Sequence, residues 1–203
     1  MNTKKKIGLV LILASVILIA LYIFSGKMIY PVKQNEFEIN TPSNSEKNNI
    51  VKTVSLYDDK APDLKNNGKW INTDKELSME NLKGKVVLLE FWTFGCYNCT
   101  NTLPYLKEWY EKYKSENFEM IGVHCPEFDN ERNFENVKRN IIELGIKYPV
   151  LTDNDFSVWK EFDVHAWPTI ILIDKKGEIR YTKVGEGSYE KTENIISELL
   201  KEN

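Results

Sequence analysis

Residues 86–92 read VVLLEFW, and this short run constrains the fold more than any other stretch of the chain. Six of its seven residues are apolar, and it begins with two valines. Such a run is typical of a strand that is buried on both faces of a sheet. Because both faces of that strand need a covering layer, we expect an α/β fold with a central sheet between helices.

The patterns around this strand supply the other elements. Apolar runs predict further strands at 69–72, 118–125, 148–153, 169–174 and 178–185, and amphipathic spacing predicts helices at 100–114, 131–144, 155–162 and 189–201. Strand–helix–strand order favours parallel crossovers, and the two strands around Lys175-Lys176-Gly177 form a hairpin. The sheet should therefore be mixed.

Two of the three cysteines, Cys96 and Cys99, directly follow the central strand and open a helix. At this spacing their side chains share one helix face, so they can form a disulfide or a dithiol. A helix N-terminus stabilises a thiolate, which is the attacking species in disulfide exchange. We therefore predict Cys96 as the nucleophile and Cys99 as the resolving thiol. A purely structural disulfide is the alternative, although so short a loop stabilises little.

An uncharged apolar run at 7–24 follows Lys4, Lys5 and Lys6. As a helix it spans roughly 27 Å, close to the thickness of the bilayer core. The run therefore predicts a transmembrane anchor at 7–24, and the basic residues before it predict a cytoplasmic segment at 1–6. Residues 33–55 are rich in Asn, Ser, Lys and Glu, which predicts a flexible tether at 25–57 before a globular domain at 58–203. We thus expect a single-pass protein of the cell membrane whose domain is extracytoplasmic. A cleaved signal peptide is the alternative.

The charge pattern argues against nucleic acid as a partner. Four of the 27 basic residues precede residue 28 and all 30 acidic residues follow it, so the remainder carries 23 minus 30, or −7. Phosphate binding requires clustered Lys and Arg, which an acidic domain does not supply.

The stretches EFWTFGCYNC, VHCPEF, YPVLTDND, WPTIILID and GEGSYE resemble the thioredoxin superfamily. Within it, they are most similar to the TlpA/ResA-like branch and to the thioredoxin-like modules associated with DipZ. The resemblance implies a thioredoxin fold with an extra N-terminal hairpin. It also implies a thiol–disulfide oxidoreductase without a dissociable cofactor. Its substrates would be exported proteins such as apocytochrome c, and its electrons would come from a CcdA/DipZ-type membrane protein.

The same resemblance implies roles for four further residues. Pro168 corresponds to a cis-proline that faces the cysteines, and Trp167 would offer its backbone to substrate, with packing as the alternative role for its side chain. Glu90 corresponds to a buried acid whose pKa is raised by desolvation, which suits it to take a proton from Cys99. The alternative is that Glu90 lies at a strand edge and reaches solvent. Glu127 corresponds to an acid that tunes the thiols, or else is a surface glutamate.

Two other functions compete with this one. Cys96, Cys99 and His165 suit Cu(I) as ligands, which favours a copper chaperone, although the relatives of that type have C-x-x-x-C spacing. A peroxiredoxin-type peroxidase would carry P-x-x-x-T-x-x-C, and here Thr93 is present while Leu89 replaces the proline. Cys125 is expected to be a buried inert thiol, with a third redox thiol as the alternative.

Overall fold

The computed structural model describes residues 60–114 and 117–203. The strands are β1 (Trp70–Ile71), β2 (Val86–Trp92), β3 (Phe118–His124), β4 (Val150–Thr152), β5 (Thr169–Ile173) and β6 (Ile179–Val184). The helices are α1 (Tyr97–Tyr113), α2 (Phe134–Glu143), α3 (Ser157–Glu161) and α4 (Tyr189–Lys201), with a 3₁₀ turn at Asp129–Arg132. The predicted anchor at 7–24, the tether and the boundary at 58 lie outside the described residues.

The six strands form one mixed sheet in the order β1-β4-β3-β2-β5-β6. The central strand β2 pairs in parallel with β3 and antiparallel with β5, and all seven of its residues are buried. β5 and β6 form the predicted antiparallel hairpin. This is a thioredoxin-like fold, as predicted. Parallel pairing brings the carboxyl ends of β2, β3 and β4 to one edge of the sheet.

Alternation along β2 divides its side chains between two apolar cores. Leu88 and Trp92 pack on one face with residues of α1, α2 and α4. Val87, Leu89 and Phe91 pack on the other face with α3 and with residues of the irregular segment 61–82. Both faces of β2 are therefore covered, but the second face is covered by one short helix and by irregular chain.

The extra N-terminal hairpin is not formed within residues 60–114 and 117–203, so that expectation is wrong there. β1 pairs antiparallel with β4 through Trp70↔Leu151 and Ile71↔Val150, and Lys60 makes an isolated antiparallel bridge with Glu178. A strand of two residues forms too few hydrogen bonds to support a hairpin of its own, and the edge of β4 offers it a partner.

The single-pass membrane localisation is contradicted in the part of the chain that the structure describes. No helix among those residues is long and apolar enough to cross a bilayer.

The turn 174–180 lies at the end of the sheet opposite the carboxyl end of β2, because Ile173 pairs with Val87 near the start of that strand. The main-chain N–H of Ala61 donates to the carbonyl of Gly177 at 2.8 Å. The guanidinium of Arg180 contacts the carboxylate of Glu202 at 2.8 Å. Residues 60–61 and 202 therefore meet the same turn.

Candidate active site

Cys96 and Cys99 form a disulfide with a Cα–Cα distance of 5.3 Å, within the usual range for this bond. Cys96 is the N-cap of α1, and the main-chain N–H of Cys99 donates to its Sγ at 3.2 Å. α1 thus begins three residues before the predicted start. The reason is local, because the sulfur of Cys96 caps the first turn of the helix.

The two cysteines differ in exposure. Cys96 is half-buried, whereas Cys99 is fully buried against the core between the sheet and α1. Tyr97, which separates Cys96 from Asn98, is 77% exposed. When the pair is reduced, Cys96 is therefore the thiol that another molecule can reach, and the helix N-terminus favours its thiolate.

The Trp167–Pro168 peptide bond is cis, as the resemblance implies. Pro168 is buried at the start of β5, next to the carboxyl end of β2 in the antiparallel pair, and its carbonyl accepts the N–H of Gly185 at 2.7 Å. Trp167 is half-buried and packs on Trp159 with ring centroids 4.7 Å apart. Packing is thus one role of this indole, and backbone contact with substrate stays a prediction.

Glu90 is fully buried in β2, on the same face of the sheet as Leu88 and Trp92 and thus on the side of Cys99. Its Oε2 accepts the hydroxyl of Tyr148 at 2.9 Å. Desolvation raises the pKa of Glu90 to about 8, although the hydrogen bond to Tyr148 lowers this pKa by a smaller amount. The carboxyl group can therefore hold or accept a proton near neutral pH. Tyr148 was not expected in this role, because it lies 58 residues away in the chain.

Glu131 is a buried carboxylate that the sequence analysis missed. Its Oε1 accepts the N–H of Gly95 at 2.9 Å, and its Oε2 accepts the N–H groups of Glu127 at 2.6 Å and Phe128 at 3.0 Å. It therefore joins the loop before Cys96 to the segment after β3. The glycine directly before the first cysteine was the available signal, because a Cβ there would overlap Glu131.

Glu127 lies in the same segment with its side chain exposed. Its main-chain N–H donates to Oε2 of Glu131, which in turn accepts the N–H of Gly95 in the loop before Cys96. A tuning effect of its carboxylate on the thiols stays a prediction.

His124 is fully buried next to the loop that precedes Cys96. Its Nε2 lies 3.2 Å from the hydroxyl of Thr93, and its ring stacks on Phe94. Desolvation lowers the pKa of His124 to about 4, and the charge of Glu131 opposes this effect. The imidazole is therefore neutral at pH 7. The peroxidase alternative gains no support at Thr93, whose hydroxyl lies against His124.

Cys125 is a free and buried thiol. Desolvation, together with the nearby carboxylate of Asp153, raises its pKa well above the ordinary value. Its Sγ lies 3.6 Å from Oδ2 of Asp153. The thiol is thus held in its protonated form, as expected of an inert cysteine.

His165 lies outside this site. It is exposed, and its Nε2 contacts Asp163 at 3.0 Å. Among the described residues, no group of three or more His, Cys, Asp or Glu side chains is placed to hold a metal ion. The copper-chaperone alternative therefore gains no support from the arrangement.

Comparison with known proteins places this site in a family. Residues 57–182 match the AhpC/TSA family. Protein DipZ of Mycobacterium tuberculosis is 40% identical over 144 residues, which are 70% of this chain and 21% of DipZ. Thiol-disulfide oxidoreductase ResA of Bacillus anthracis is 33% identical over 125 residues, which are 62% of this chain and 69% of ResA. The chain thus spans about a fifth of DipZ and about two thirds of ResA.

A solved structure supports the same assignment. The crystal structure of a thiol-disulfide isomerase from Corynebacterium glutamicum superposes with a TM-score of 0.63 at 31% identity. The superposition covers 70% of this chain and 98% of the isomerase chain. The chain therefore belongs to the AhpC/TSA family, as a TlpA/ResA-like member of the thioredoxin superfamily.

Proposed function

We propose that this protein is a thiol–disulfide oxidoreductase that reduces disulfides in protein substrates, with Cys96 as the attacking thiol and Cys99 as the resolving thiol. The unequal exposure of the pair carries the proposal. Cys96 caps the helix and is half-buried, whereas Cys99 is fully buried. Only Cys96 is open to attack a large partner, and Cys99 is next to it for the second step.

The steps follow from disulfide exchange. The Cys96 thiolate attacks one sulfur of the substrate disulfide, and the other substrate sulfur leaves as a thiolate. Cys99 then loses its proton to the ionised carboxylate form of Glu90 and attacks Cys96, which releases the second substrate sulfur and forms the Cys96–Cys99 disulfide. Two electrons thus pass to the substrate. Glu90 is suited to accept the proton because burial raises its pKa to about 8.

The partners are proposed from the relatives. The resemblance to the TlpA/ResA-like branch implies exported proteins as substrates, apocytochrome c among them, and a CcdA/DipZ-type electron donor that returns the disulfide to the dithiol. The relatives DipZ and ResA support membership of that branch. Trp167 and Pro168 would align an extended substrate segment beside Cys96. Exchange through the dithiol needs no dissociable cofactor.

Trapping tests the assignment of roles in the full chain. Cys99→Ser should accumulate mixed disulfides with protein partners through Cys96, since the resolving step is removed. Cys96→Ser should accumulate none, and it is the matched control because it also leaves a single thiol in the pair. Equal trapping by Cys96→Ser would reverse the roles. Failure of the wild-type dithiol to reduce insulin would refute protein disulfide reduction.

A further inference from the structure

Glu131 is buried at a place where its neighbours are exposed. Its exposed fraction is 0%, although it lies in the polar stretch Asp129–Arg132. Burial of a carboxylate costs several kcal/mol unless hydrogen bonds replace the lost water. Here three main-chain N–H groups do so, from Gly95, Glu127 and Phe128. These contacts fix two segments of backbone against each other.

Gly95 shows how closely the two segments approach. A Cβ at this position would overlap Oε1 of Glu131 and would lie 3.6 Å from Cδ2 of Phe128. The ring of Phe128 therefore lies against the backbone directly before Cys96. A Cβ at position 95 would therefore displace the carboxylate of Glu131, whereas its distance to the ring of Phe128 is an ordinary van der Waals contact.

The contacts leave two aromatic rings open to solvent next to the nucleophile. Phe128 is 55% exposed, and Tyr97, directly after Cys96, is 77% exposed. The two rings flank the nucleophile along the chain, because Phe128 lies beside Gly95 and Tyr97 directly follows Cys96. Large apolar side chains exposed next to a reactive group are candidates for an interaction surface. Aromatic residues of this kind frequently carry most of the binding energy of an interface.

We propose that Glu131 is a positioning residue that holds Phe128 beside Cys96, and that Phe128 and Tyr97 form a docking surface for an apolar side chain next to the disulfide cysteine of a protein substrate. The proposal rests on the proposed function and names its substrate class. Glu131 does not contact the reacting sulfurs in this account. It acts through Phe128.

Steady-state reduction of insulin by the full chain, with dithiothreitol as the reductant, tests the proposal. Glu131→Gln retains only one acceptor oxygen, so one of the two segments is released. Phe128→Ala removes the ring and leaves the buried contacts in place. Each variant should raise KM for insulin about five- to tenfold, a typical loss for one aromatic contact, while kcat stays within about twofold. The reaction of reduced Cys96 with the small disulfide DTNB should also stay within about twofold.

The double variant separates positioning from two independent effects. If Glu131 acts through Phe128, the double variant should raise KM no more than either single variant does. Asp174→Asn is the matched control, because Asp174 is 3% exposed and accepts the N–H groups of Lys176 and Glu178 at the far end of the sheet. It should lower stability and leave KM unchanged.

Three results would overturn the proposal. An unchanged KM in Glu131→Gln would show a purely structural role, and an unchanged KM in Phe128→Ala would remove the docking surface. Additive effects in the double variant would show that Glu131 does not act through Phe128. By contrast, a wild-type chain that reacts with DTNB but leaves insulin oxidised would refute protein disulfide reduction itself, and this docking surface with it.

Discussion

Replacing Glu90 with Gln should stabilise the protein, and the gain should grow with pH. An ordinary glutamate titrates near 4.5, whereas burial raises the pKa of Glu90 to about 8. Between these two values the unfolded chain has lost the proton and the folded chain retains it. The folded state therefore binds more protons, and its stability falls as pH rises through this window.

The size of the effect follows from the same two values. At about 1.4 kcal/mol per pH unit, the window from 4.5 to about 8 corresponds to roughly 5 kcal/mol once the pH exceeds 8. A neutral glutamine can still accept the hydroxyl of Tyr148 and has no charge to desolvate. We therefore expect Glu90→Gln to unfold with a free energy about 3–5 kcal/mol higher than wild type at pH 8.5, and within about 1 kcal/mol of wild type at pH 4.

Urea denaturation of the oxidised protein at pH 4, 6, 7 and 8.5 provides the measurement, and the difference between variant and wild type isolates Glu90 from other titrating groups. The measurement at low pH is the internal control for packing, because both side chains are then neutral. A difference that stays constant with pH, or that favours wild type at high pH, would refute the buried proton at Glu90.

Tyr148→Phe removes a hydrogen bond that lowers the pKa of Glu90, so this pKa should rise above about 8 by roughly one pH unit. Carboxyl ¹³C NMR of both proteins would measure the pKa, and an unchanged or lower value would contradict the assigned contact. Gly68→Ala should lower the free energy of unfolding by about 2 kcal/mol or more, because a Cβ there would overlap the carbonyl oxygen of Thr152. Urea denaturation would show this, and wild-type stability would argue against the close approach of Gly68 to β4. Cys125→Ala should keep insulin reduction within about twofold of wild type, because Cys125 is buried and its thiol is protonated. In the wild-type protein, Cys125 should react with DTNB only after denaturation. Fast labelling of Cys125 in the native fold would identify it as a third active thiol.

The elements that the sequence predicted well are those whose signal is local. VVLLEFW forms a strand because almost every residue is apolar, and all seven are buried. The spacing of Cys96 and Cys99 at a helix start likewise needs no distant partner. The predicted helix at 131–144 begins later, at Phe134, because Asn133 caps it and the preceding residues form a 3₁₀ turn.

The features that the sequence did not predict depend on contacts between distant segments. Tyr148 donates to Glu90 from 58 residues further along the chain, and no periodic pattern links the two residues. Glu131 stands in a polar stretch that is typical of a surface loop, and its burial depends on N–H groups from two segments that are distant in the chain, one of them that of Gly95. The partner of β1 was equally hidden, since two residues cannot specify which strand edge they join.

The meeting of residues 60–61 and 202 at the turn 174–180 has a practical consequence. A resin, a fluorophore or a fused carrier attached at either position would lie at the end of the sheet opposite the Cys96–Cys99 disulfide. The protein could then be attached to a solid support in a uniform orientation, with Cys96 directed away from the support. The proximity of the two positions also suits the fold for grafting into a loop of a host protein through short spacers.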